Sequence, residues 1–154
     1  MELSKAIDTM VQLEQSMSDC YKAISLICQD EENSKELTVL AKEEIDHKNL
    51  LTAGINYLMQ APDLFAQKRE GAGELSLMAN RIATLISNIH SKKVGFMEAI
   101  NDVAAIERQL ERFHMNRIAE VKDDSLRKLL NALSLGDKEH TKRLLRILQG
   151  SAAA

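Results

Sequence analysis

Residues 41–51 read AKEEIDHKNLL. Taken as a helix, this stretch lies on a stripe whose apolar members are Leu37, Leu40 and Leu51, and the same stripe takes in Glu44 and His47. Side chains three and four residues apart share one helix face. The face this helix is built to bury therefore carries a carboxylate beside an imidazole. The pattern returns near the other end of the chain. Residues 134–144 read SLGDKEHTKRL, and there Leu130, Leu133 and Leu144 frame Asp137 and His140.

The two stretches belong to an internal repeat. A shift equal to the separation of His47 and His140 places Ala6-Ile7 on Ala99-Ile100, Glu14 on Glu107 and Asp30 on Asp123 without a gap. It also places Lys35 on Lys128, Leu37 on Leu130, Leu40 on Leu133 and Leu51 on Leu144, while Glu44 falls on Asp137. Each half has two apolar seams at helical spacing. The first pair is Ile7, Met10, Glu14, Met17, Tyr21, Ile24, Cys28 and Leu37, Leu40, Glu44, His47, Leu51. The second pair is Ile100, Val103, Glu107, Leu110, His114 and Leu130, Leu133, Asp137, His140, Leu144, Ile147.

These patterns predict an all-α chain with one domain over residues 1–150. A helical hairpin over 3–60 is followed by a crossover over 61–95 and a second hairpin over 96–148, with 151–154 as a frayed tail. Polar breaks at 29–34 and 122–125 mark the two hairpin turns. Pro62 stops the second helix, 61–73 reads as loop, 74–92 as an amphipathic helix, and Gly150 as the final stop. The apolar face of 74–92 (Leu75, Met78, Ile82, Leu85, Ile89) needs a cover, from the helices of the same chain or from a second subunit. A homodimer is the simplest expectation.

Composition narrows the setting. The chain has 154 residues, 45% hydrophobic and 28% charged, with a net charge of −3, one proline and no tryptophan. No apolar run is long enough to span a membrane. No basic stripe suggests nucleic acid as a partner. The opening MELSKAIDTM is polar where a signal peptide would be apolar. Cys20 and Cys28, the only cysteines, lie roughly 12 Å apart along one helix, too far to bridge. A reduced, cytoplasmic location is expected.

Chain geometry brings the polar seam residues together. In an antiparallel hairpin, residues equidistant from the turn lie at one height. Glu14 and Glu44 are equidistant from residue 29, and Glu107 and Asp137 from residue 122, so each hairpin sets a carboxylate opposite a carboxylate–histidine pair. Four carboxylates in an apolar core repel one another and are costly to desolvate. A pair of divalent cations removes both costs. Oxygen and nitrogen ligands in this mixture suit iron or manganese and accept zinc. The metal ligands expected are Glu14, Glu44, His47, Glu107, Asp137 and His140. Tyr21 reads equally as a core aromatic and as a hydroxyl supporting the ligands. His114 reads as a core histidine, Met10, Met17 and Met115 as core fillers, His90 as a surface residue, and Glu43, Asp46, Glu111 and Glu139 as solvated faces.

On Glu14, the run Glu43-Glu44-Ile45-Asp46-His47, Glu107 and Asp137-Lys138-Glu139-His140, the chain resembles the ferritin-like superfamily, and within it the rubrerythrin-like branch. The resemblance covers residues 3–60 and 96–148. It implies a four-helix bundle with one long crossover, two iron ions bridged by Glu44 and Asp137, and reaction with O2 or peroxide. Ferrous iron is itself a substrate in ferritins. Tyr21 sits where members of the superfamily often carry a tyrosine near the metals. Two features depart from rubrerythrins. Leu110 stands where they carry a further carboxylate, and the cysteine-ligated iron site is absent, so any electrons come from a separate donor protein. The contrasting expectation is a non-catalytic iron or zinc binding or storage protein.

Overall fold

The computed structural model describes residues 2–59, 72–118 and 123–153. Within them the chain is all-α, with five helices and no strand: α1 (Glu2–Ile27), α2 (Glu31–Met59), α3 (Ala72–His90), α4 (Phe96–Ile118) and α5 (Asp124–Ala153). No helix among the described residues is long and apolar enough to cross a membrane.

The chain turns between α1 and α2 in only three residues. Asp30 begins α2, its Oδ1 accepting from the Asn33 N–H at 2.8 Å and its carbonyl from the Ser34 N–H at 2.9 Å. This is the N-cap arrangement, which satisfies donors that the first helical turn leaves without partners. The repeat extends to this detail. Asp123 caps α5 in the same way, accepting from Leu126 N–H at 2.9 Å and from Arg127 N–H at 3.0 Å. The turn after α3 is different. Lys92 has φ 57°, and the N–H groups of Lys92 and Lys93 return to the carbonyls of Ile89 and Asn88 at 3.1 and 2.9 Å. That closes the helix in a Schellman motif with lysine where glycine is usual.

α1 packs along α2, and α4 along α5. The first pair is antiparallel, because Gln15 accepts from Lys48 at 2.8 Å, the Ser18 hydroxyl donates to the Ala41 carbonyl at 2.7 Å, and Ser34 donates to the Ser25 carbonyl at 3.3 Å. α2 also meets α5, and α1 meets α4. Arg143 of α5 bridges Glu36 and Glu43, two turns apart on α2. The predicted seams are the core: Met17, Tyr21 and Ile24, then Leu37, Leu40 and Leu51, then Ile100, Val103 and Leu110, then Leu130, Leu133, Leu144 and Ile147 are all buried. α3 lies against α1 and α4, burying Leu75, Met78, Ile82, Leu85 and Ile89. That face, which the sequence leaves needing a cover, finds one within the chain.

Three expectations change. Gly150 does not stop α5, which runs through Ala153. Gly150 lacks the left-handed φ of a helix-ending glycine, and the serine and alanines after it continue the helix. α3 begins at Ala72, inside the expected loop; the rest of that loop, Pro62 with it, and residues 119–122 lie outside the described residues. Met115 is 53% exposed rather than a core filler. It follows His114 directly, and one residue step turns a side chain about 100° around the helix.

The duplicated caps give a direct test of the repeat. Asp30→Ala and Asp123→Ala should each lower stability by about 1 kcal/mol, a fall in Tm of about 2–4 °C for a chain of this size. Thermal unfolding followed by circular dichroism reads both, and a loss at only one site would show that the two turns are not equivalent.

Candidate metal centre

Halfway along the four long helices the apolar seams are interrupted together. Glu14 (α1), Glu44 (α2), Glu107 (α4) and Asp137 (α5) are all buried. Around them stand His47 of α2 and His140 of α5. His140 Nδ1 lies 2.9 Å from Glu44 Oε1 and 3.2 Å from Glu107 Oε1. His47 Nδ1 lies 3.3 Å from Glu44 Oε2, 3.7 Å from Glu14 Oε2 and 4.0 Å from Asp137 Oδ1. The six residues singled out in the sequence thus share one cluster. Its tightest group is Glu44, His47 and His140, whose ligand atoms lie within 4.8 Å of one another.

The contacts obey the internal repeat. His47 beside Glu14 corresponds to His140 beside Glu107, and His47 beside Asp137 corresponds to His140 beside Glu44. Tyr21 of α1 donates its hydroxyl hydrogen bond to Glu107 Oε1 on α4. Its repeat counterpart His114, on α4, reaches back toward Glu14 on α1, with Nε2 3.9 Å from Oε1. His114 Nδ1 also lies 2.6 Å from Asp137 Oδ2. His114 is therefore part of the cluster, not an isolated core histidine. The signal for it was in the sequence: it stands seven residues after Glu107, as Tyr21 stands seven after Glu14.

Two further residues escaped the pattern reading. Glu43 is partly solvated, as expected, but it is also paired with Arg143, and its Oε2 lies 3.5 Å from His140 Nε2. In the repeat Glu43 corresponds to Gly136, in the middle of α5. A Cβ at Gly136 would stand 2.5 Å from His47 Nε2 and 2.6 Å from His47 Cε1. Glycine inside a helix costs about 0.5–1 kcal/mol relative to alanine, and here it opens the space that the His47 ring fills. His47 and His140 then stack, ring centroids 5.1 Å apart.

Charge in the cluster is finely divided. Burial is the largest influence on Glu14, Glu44, Asp137 and the three imidazoles. It drives the Glu44 carboxyl well above its ordinary range, helped by the neighbouring Glu107 and Glu14 charges. Burial likewise lifts Asp137 to about 7, against the pull of His114. For His47, burial opposes the charged ring, yet Glu14 and Glu44 overcome it and raise the imidazole to about 10. His114 and His140 also rise against burial, through Asp137 and Glu107 respectively. Glu14 moves the other way from Glu44 and Asp137: burial raises it, but His47, Glu44 and His114 together bring it below the ordinary value. Glu44 and Asp137 are thus the carboxyls shifted toward the protonated form. Tyr21 is held far above the ordinary phenol range by burial and by Glu107, and burial pushes the Cys20 thiol up to about 12.

The residues fit divalent cations. Five buried atoms in this one cluster, Glu14 Oε2, Glu44 Oε2, His47 Nδ1, Glu107 Oε2 and Asp137 Oδ1, have no hydrogen-bond partner. Buried polar atoms without partners cost about 1–3 kcal/mol each, and more when charged. All five are ligand atoms, from the side chains whose oxygen and nitrogen donors suit iron, manganese or zinc. Among known proteins, no family model, no curated protein and no solved structure matched the chain.

Gly136→Ala sets helix propensity against this cluster. Propensity alone predicts a gain of up to about 1 kcal/mol, whereas the added methyl must displace the His47 ring. Helix content should be kept while affinity for Fe2+ or Zn2+ falls about tenfold or more, since misplacing a ligand by about 1 Å is enough to spoil a site. Circular dichroism with a metal titration reads both, and an unchanged affinity would show that His47 can step aside at no cost.

Proposed function

We propose that this chain is a ferritin-like, rubrerythrin-like di-iron carboxylate protein. In this reading α1, α2, α4 and α5 form a four-helix bundle of two repeated hairpins, and α3 belongs to the long crossover between them. Two iron ions are held by Glu14, Glu44, His47, Glu107, Asp137 and His140. The observation that carries the reading is the convergence, from four helices, of five buried carboxylate and imidazole atoms without hydrogen-bond partners. When bound, the ferrous pair supplies electrons and open coordination positions for the reduction of O2 or peroxide.

The chain's own residues prepare that site. Glu44 sets its two carboxylate oxygens toward different imidazoles, Oε1 toward His140 and Oε2 toward His47, a disposition suited to bridging two ions. Tyr21 fixes Glu107 by its hydrogen bond. Arg143 holds Glu43 beside His140 Nε2, and an outer carboxylate of this kind orients a ligating ring. Met17, Leu110 and Leu133, all buried, keep water from the surroundings of the site. No cysteine pair for an intrinsic electron relay exists in the sequence, so repeated turnover draws on an external donor protein, or ferrous iron itself is the substrate.

A second reading rests on the tight group Glu44, His47 and His140, which suits a single ion held without turnover. Anaerobic titration with Fe2+, followed by exposure to O2 and then to peroxide, separates the two. The di-iron reading expects two equivalents per chain and rapid oxidation of the bound iron. One equivalent that resists both oxidants would favour the storage or sensing role.

Metal uptake should also release protons. At neutral pH the metal-free cluster holds a proton on His47, raised to about 10, and on about half of the Asp137 carboxyls, raised to about 7, and burial shifts the Glu44 carboxyl in the same direction. Ligation requires these groups to be deprotonated. Affinity should therefore rise with pH from about 6 to about 9, by roughly tenfold per unit for each proton displaced. Titration in weakly buffered indicator solution measures the release, and a pH-independent affinity would show that the ligands are already deprotonated.

A further inference from the structure

The three imidazoles of the cluster are not oriented alike. His47 and His140 turn Nδ1 toward the carboxylates. Their Nε2 atoms face outward, His140 toward Glu43 and His47 against Gly136. His114 is reversed. Its Nδ1 meets Asp137 Oδ2 at 2.6 Å, and its Nε2 faces Glu14 Oε1 at 3.9 Å. The two distances differ in kind. The first is a short, charge-assisted hydrogen bond. The second is too long for any hydrogen bond, yet shorter than two metal–ligand bonds of about 2.0–2.2 Å laid end to end. One cation therefore fits between Nε2 and Oε1.

In the neutral ring, the tautomer that gives Nδ1–H to Asp137 leaves the lone pair on Nε2. A ligating histidine that donates its other N–H to a carboxylate is the recurrent way in which proteins fix a metal-binding tautomer. His114 is almost wholly buried, so the ring has no water to satisfy a reoriented nitrogen. Asp137 keeps Oδ1 free of hydrogen bonds, 4.0 Å from His47 Nδ1. One of its oxygens is thus available to an ion while the other orients His114. The shorter side chain acquires a reason here. Where the first half has Glu44 and Tyr21, the second has Asp137 and His114, and a carboxylate about 1.5 Å shorter leaves room for a ring hydrogen-bonded to it.

We propose that His114 is a further metal ligand, through Nε2, to the ion on the Glu14–His47 side, oriented by Asp137. The inference rests on the di-metal reading. It makes the two positions unequal: one has the nitrogens of His47 and His114, the other that of His140 alone. The nitrogen-richer position fills first with zinc or cobalt.

The test uses zinc-loaded wild-type protein and 15N-detected histidine NMR. The sequence has four histidines. Three should coordinate on loading, His47 and His140 through Nδ1 and one, His114, through Nε2. Coordination through Nδ1 alone would overturn the proposal while leaving the metal centre standing, whereas no zinc uptake would remove the metal reading and this inference together. A variant adds a second measurement. His114→Asn keeps an amide N–H near the place of Nδ1 and removes Nε2. The first equivalent of Co2+ should bind about tenfold or more weakly, with its visible absorption altered. Unchanged affinity and spectrum would show that His114 only braces Asp137.

Discussion

A carboxylate drawn into a core of leucine and isoleucine loses its hydration, and Glu14, Glu44, Glu107 and Asp137 do so in one place. Each uncompensated charge costs several kcal/mol, against a net stability of about 5–15 kcal/mol for an ordinary domain. Left unneutralised, the cluster would unfold the chain. Three imidazoles and a phenol meet that demand in the metal-free protein. The His47 imidazole, held at about 10 by Glu14 and Glu44, carries one positive charge among these carboxylates, and the same carboxylates raise His114 and His140 in the same direction. The apolar seams set how deep the charges lie, and the imidazoles decide whether that depth can be tolerated.

The duplication of the hairpin sets the frame, and its departures give the site its character. Paired contacts such as His47 with Glu14 and His140 with Glu107 keep the two halves in step. Three substitutions break the equivalence: Tyr21 against His114, Glu44 against Asp137, and Glu43 against Gly136. They are coupled through space. Asp137 is short where His114 enters. Gly136 is bare where His47 lies, while at the matching place in the other half Glu43 and Arg143 cover His140. These differences between the halves fall on side chains that lie against one another rather than at scattered positions.

Much of this was legible in the sequence, because helical seams and a gapless repeat both act through spacing. Glu14, Glu44, His47, Glu107, Asp137 and His140 are conspicuous as polar residues on apolar stripes, and the turn midpoints put them at one height. His114 was less visible because it closes its seam, with no later apolar residue to frame it. Glu43 and Arg143 lie off the stripes, and periodicity says nothing of a contact between the flanks of two helices. Gly136 carries no side chain to fit a pattern, and only the His47 ring beside it gives it meaning. The covering of α3 depended on how the helices meet, which spacing alone does not fix. The stop at Gly150 failed for a local reason, since glycine ends a helix only where the backbone turns left-handed.

The position of the cluster along the helices decides how it communicates with solvent. Glu14 is near the midpoint of the 26-residue α1, and Asp137 near that of the 30-residue α5. At 1.5 Å per residue, either end of the helices is about 20 Å away, through packed apolar layers. The way out is sideways, across a single thickness of helix. That wall is not uniform: His140 is 2% exposed under Glu43 and Arg143, whereas His47 is 14% exposed beside Gly136. The missing Cβ that seats the His47 imidazole thus lies beside the more exposed of these two rings, so one residue bears on both the position of that side chain and its access to solvent.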